Sequence, residues 1–77
     1  MTNTDAFLKA VNKTGLKFKA LAAQIGLTPN GLRKKVYNET EFRASEIQKC
    51  AEILNLTNKE RDVIFLSSVW FKITKME

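Results

Sequence analysis

Gly26-Leu27-Thr28-Pro29 is the stretch that most constrains what this 77-residue chain can fold into. A glycine reaches positive φ without a steric cost and so closes a helix. Proline suits the first position of the next helix, where its missing N–H would have had no intrahelical partner. Thr28 stands between them with a hydroxyl able to cap that helix. The four residues predict two short helices, 17–24 and 29–37, about three residues apart and crossing steeply rather than running side by side. In the first, Phe18, Leu21, Ala22 and Ile25 share a side. In the second, Leu32 and Val36 lie four apart and face inward, leaving Asn30, Arg33, Lys34 and Tyr37 on the other face.

Helical spacing extends over most of the chain. An opening helix is expected after Thr4, with Thr4 as its cap, Asp5 near the positive end of its dipole and Gly15 as its stop. Phe7, Leu8 and Val11 form its inward stripe. A polar connector at 38–43 leads to a fourth helix, 44–55, whose Ile47, Cys50, Ala51 and Leu54 fall at i, i+3, i+4, i+7. Leu56 links it to a fifth helix that opens with the capping box Thr57-Asn58-Lys59-Glu60 and holds Val63, Ile64 and Leu66. In the tail, Val69, Phe71 and Ile73 alternate as in a strand, yet no Gly or Pro stops the helix from continuing. With no repeat, Gly/Ser linker or low-complexity run, residues 1–77 read as one all-α domain.

Charge narrows the function. The net charge is +5, and the excess lies in the first half. Residues 6–38 hold Lys9, Lys13, Lys17, Lys19, Arg33, Lys34 and Lys35 and no acid, whereas in residues 39–77 acids and bases nearly balance. Such segregation suits a polyanionic partner. A basic face that meets only water is the alternative. Catalysis finds no support: there is no histidine, no Gly-x-Ser-x-Gly, no glycine-rich phosphate loop and no carboxylate pair in an apolar setting. One cysteine without histidine rules out a Cys/His zinc site, and no cofactor motif occurs. Cys50 reads as a small buried side chain rather than a redox sensor. No signal peptide or membrane span is expected, and the lone cysteine fits a reducing cytoplasm.

A major groove admits one α-helix, whose N-terminal side chains reach the base edges. On the 29–37 helix these are Thr28, Asn30, Arg33 and Lys34, with arginine suited to guanine and asparagine to adenine. Lys17, Lys19, Lys35, Tyr37 and Arg43 are the expected phosphate contacts, Lys17 and Lys19 at a helix start where the dipole also favours an anion.

Gly15-Leu16-Lys17-Phe18-Lys19-Ala20-Leu21-Ala22-Ala23-Gln24-Ile25-Gly26-Leu27-Thr28 resembles the "GL…LA…LG(I/V)(S/T)" signature of the Cro/cI-type (XRE-like) helix-turn-helix family. Lys49-Cys50-Ala51-Glu52-Ile53-Leu54-Asn55-Leu56-Thr57 resembles that family's fourth-helix ending. The resemblance implies a five-helix Cro/cI-repressor-like domain that binds double-stranded operator DNA as a two-fold homodimer and regulates transcription. The chain departs from the pattern at Phe18, where relatives often carry a phosphate-holding polar residue, and at Lys35, where an apolar residue is common. Its connector holds Glu39 and Glu41 with only Arg43 to offset them. The length leaves no room for the oligomerisation or cleavage domain of full repressors and looks more like a Cro-type or repressor-modulating phage protein. Val69, Trp70, Phe71 and Ile73 in the tail, 67–77, are then the dimerisation candidates, unless they fold back onto their own core. The rival expectation is an antirepressor or modulator that uses the same fold to bind another regulator protein; Glu39, Glu41 and the aromatic tail favour it. A nonspecific nucleic-acid binder would need basic residues on more than one face, against the balance of the second half.

Overall fold

A computed structural model of the chain describes residues 1–65. They form an all-α architecture of five helices: α1 (Thr4–Thr14), α2 (Phe18–Ile25), α3 (Pro29–Val36), α4 (Ala44–Ile53) and α5 (Asn58–Ile64). The dimerisation candidates Val69, Trp70, Phe71 and Ile73, the helix-or-strand choice for the tail, and Leu66 lie outside the described residues.

The first four helices bury most of the stripe their spacing marks, although Ala51 of α4 is only half-buried. Phe7 and Val11 of α1, Leu21, Ala22 and Ile25 of α2, Leu32 and Val36 of α3, and Ile47 and Cys50 of α4 join Leu54 and Ile64 in one cluster. Leu8 and Phe18 pack against its edge. α2 packs on both α3 and α4, and α1 on α5. Val63, expected on α5's apolar side, is instead 48% exposed.

Helix ends follow local chemistry, with shifts of a residue or two from the sequence reading. α1 is capped by Asn3 rather than Thr4: Asn3 Oδ1 accepts the Ala6 N–H at 3.1 Å. Thr4, thus freed, donates its hydroxyl to the Val36 carbonyl at 2.7 Å, tying α1 to the end of α3. α2 begins one residue later than expected, with Lys17 as its N-cap, and ends at Ile25. The Thr57–Glu60 capping box forms as read. The Thr57 hydroxyl accepts the Glu60 N–H at 3.1 Å and the Glu60 carboxylate accepts the Thr57 N–H at 2.9 Å. Those bonds hold the Glu60 carboxyl below its ordinary pKa, with nearby Lys13 adding a little.

Gly15 and Gly26 close α1 and α2 at φ 74° and 93°. Two asparagines do the same for the next pair, Asn38 at φ 65° and Asn55 at φ 54°. Both follow a helix whose carbonyls would otherwise be open. Glu39 N–H returns to Lys34 O and Leu56 N–H to Ala51 O, each at 2.8 Å, so the chain can turn sharply. Asparagine tolerates this region better than other residues with a Cβ.

The connector at 38–43 is not simply polar. Phe42 is 7% exposed and completes an aromatic trio with Phe7 and Phe65. Its ring lies 5.8 Å from Phe7, stacked, and 5.1 Å from Phe65, edge-on, while Phe7 and Phe65 meet edge-on at 5.9 Å. The N-terminus closes the other side. Thr2 forms an antiparallel bridge with Phe65, and Asn3 N–H donates to Ile64 O at 2.7 Å.

Cys50 is fully buried on α4. Burial, with Glu46 adding repulsion, pushes its thiol up to about 12, so almost no thiolate exists at neutral pH. Native protein at pH 8 is therefore expected to react with Ellman's reagent only as fast as it opens, with full reactivity appearing in denaturant. Prompt stoichiometric reaction without denaturant would contradict the burial.

Candidate nucleic-acid interface

α3 is built to present one face. Thr28, in extended conformation, accepts the Gly31 N–H on its hydroxyl at 3.0 Å, and Pro29 follows at the first helical position. Gly31 is a residue that sequence reasoning passed over. Glycine inside a helix costs roughly 1 kcal/mol against alanine, but a Cβ here would lie 3.1 Å from Thr28 Oγ1, tight against the cap. Leu32 and Val36 are fully buried, which fixes the rotation of the helix about its axis. That rotation leaves Asn30, Arg33 and Lys34 exposed on the outer side, with Tyr37 just past the helix end at 54% exposure.

Arg33 and Lys34 make no ion pair or hydrogen bond through their side chains among the described residues, and neither do Lys17 and Lys19. Their charges are available to a partner. Lys17 and Lys19 flank the start of α2, which has no side-chain cap, so its first N–H groups are left to solvent or to an anion. Thr28 Oγ1 already accepts one hydrogen bond within the cap, so outward it has its hydroxyl proton and one remaining lone pair to offer.

Lys35 departs from expectation. Its side chain is 14% exposed, and Nζ lies 3.1 Å from Glu46 Oε1 and donates to the Glu41 carbonyl at 3.0 Å. Glu46 Oε1 also accepts the Arg43 N–H at 2.8 Å at the head of α4. One carboxylate thus fixes the back of α3 to the start of α4 and holds Lys35 away from the face that carries Arg33 and Lys34. The signal was present as a glutamate three residues past the cap position, but its lysine partner, eleven positions earlier, follows from no local pattern. Arg43 is exposed at the N-cap of α4, in the same connector as exposed Glu39 and Glu41.

The described residues contain no group of three or more His, Cys, Asp or Glu side chains placed to hold a metal ion. None of their helices is long and apolar enough to cross a membrane. Comparison of the chain with protein-family models, with curated proteins and with solved structures finds no match.

Proposed function

We propose that this chain is a sequence-specific, double-stranded DNA-binding transcriptional regulator of the Cro/cI helix-turn-helix type. In this reading α2 and α3 are the two helices of the motif and α3 enters the major groove. The observation that carries it is the exposed face of α3, where the side chains of Asn30, Arg33 and Lys34 stand clear of any partner among the described residues while Leu32 and Val36 anchor the opposite side. Arg33 and Asn30 read base edges, and Lys34 stands beside them. Lys17 and Lys19, with the open N-terminus of α2, take phosphates. Tyr37 and Arg43 border that surface; Lys35 serves the fold and leaves the phosphate set. The protein acts in the cytoplasm as a homodimer on a two-fold operator, without a cofactor and without catalysis.

The test is fluorescence anisotropy of duplex DNA across a salt series. Log affinity should fall linearly with log salt, by about 0.9 per phosphate neutralised. Lys34→Ala should weaken binding and Lys35→Ala should leave the salt slope where it was, because Lys35 is already neutralised by Glu46. Against a selected operator, Arg33→Ala should cost about 1–3 kcal/mol and relax specificity. No binding at low salt, or an Arg33→Ala/Lys34→Ala variant that binds like the parent, sinks the proposal. The reading as a modulator of another regulator protein would then stand, favoured by the exposed Glu39 and Glu41 beside α3.

A further inference from the structure

α1 and α5 pack together but leave an open groove of about 420 Å³ between them. Its floor is apolar: Ala6 and Ala10 of α1 lie one turn apart, with Leu56, Val63 and Ile64 opposite. Val63 stands 48% exposed there, a β-branched side chain that the described residues leave in water. Lys9, Lys13 and Lys59 line the same groove, against one carboxylate, Glu60, which is engaged in the α5 capping box. The acids next to it in sequence, Asp5 and Asp62, do not line it, and Asp62 pairs with Arg61 at 3.4 Å. No lining residue comes from α2, α3 or α4, so this surface is separate from the one proposed for DNA.

We infer that the α1/α5 groove is a docking site for an acidic amphipathic helix of a protein partner. Two alanines at i, i+4 let a helix backbone come close, and an apolar stripe on the incoming helix would cover Val63. The lysine rim selects the sign of the charges beside that stripe. A second copy would set the same lysines against each other. Residues 66–77 of this chain carry Lys72 and Lys75 against a single acid, Glu77, and match the rim no better. Nucleic acid would use the lysines but has nothing to bury on the apolar floor.

This inference does not rest on the DNA reading, and its test is separate. The full chain is titrated into a fluorescein-labelled peptide of about four helical turns, with leucine at i, i+3, i+4 and i+7 and glutamate or alanine elsewhere. A matched peptide with lysine for glutamate is the control. The acidic peptide should bind and the basic one should not. Lys9→Glu/Lys59→Glu should weaken binding about tenfold, as should Val63→Glu separately. These are exposed positions, and a thermal melt checks that each variant folds. Arg33→Ala/Lys34→Ala should bind the acidic peptide like the parent while losing DNA. Failure of the acidic peptide to bind overturns the inference, as does equal binding by both peptides or loss in the Arg33→Ala/Lys34→Ala variant. If Lys9→Glu/Lys59→Glu abolishes self-association in sedimentation velocity or duplex binding instead, the groove belongs to a second copy or to nucleic acid, and the inference falls.

Discussion

Phe42→Ala is expected to cost about 3–5 kcal/mol of folding stability, the usual range for removing a buried phenyl ring. A chain of this size has roughly 4–12 kcal/mol in total, taking about 0.05–0.15 kcal/mol per residue, so the variant should be near the edge of folding. The reason is position. Phe42 belongs to no helix, yet its ring fills the space between Phe7 of α1 and Phe65 beyond α5, and both neighbours are essentially inaccessible to water. Removing it leaves two aromatic rings facing a void that small helices cannot close without shifting. Urea denaturation followed by circular dichroism measures the loss, with Phe42→Leu as a companion that keeps most of the volume and should cost under about 1.5 kcal/mol. If the connector were a solvated loop, both changes would fall within about 0.5 kcal/mol of the parent, and that result would refute the aromatic trio.

The second large effect is expected at Asn38. Its side chain grips the backbone of Thr2 from both sides: Oδ1 accepts the Thr2 N–H at 2.8 Å and Nδ2 donates to the Thr2 carbonyl at 3.0 Å. Thr2 is itself buried and bridged to Phe65, so these bonds fasten the N-terminal strand of chain across the ends of α3 and α5. Asn38→Ala loses both bonds and keeps a Cβ in the left-handed region, and about 2–3 kcal/mol should go. Asn38→Gly removes the same bonds while making φ 65° free of strain, and should cost only about 1–2 kcal/mol. The difference between the two separates clamp from conformation. Amide exchange adds a local readout: the Asn3 N–H, bonded to Ile64 O, should lose protection in both variants. Equal, negligible losses would show that the N-terminus is held by something else.

Both residues sit where sequence periodicity is silent. Helix spacing found Leu21, Ala22, Ile25, Leu32, Val36, Ile47, Cys50 and Leu54 because a buried helix must repeat its apolar residues about every 3.6 positions, and all of them are in the core or at its edge. Stops and starts were equally local: Gly15, Gly26, Thr28-Pro29 and Thr57–Glu60 carry their geometry in their own chemistry. So were the exposed positions of Asn30, Arg33 and Lys34, which follow once Leu32 and Val36 point inward. Phe42 and Phe65 stand outside any periodic run. Their burial depends on where α1 and α5 arrive.

What this sequence determines by itself is therefore the five helices of the described residues, most of their apolar stripes, and the caps at Gly15, Gly26, Thr28 and Thr57, because each rests on interactions between residues at most a few positions apart. Tertiary structure alone decides the rest. It pairs Lys35 with Glu46, eleven residues on, and so takes a charge that composition counts as available and spends it inside the fold. It joins Thr2 to Asn38 across 36 positions and Thr4 to Val36 across 32, which a local pattern cannot encode. It also turns Val63 outward into the α1/α5 groove, since which side of a short helix is buried depends on the neighbour it meets.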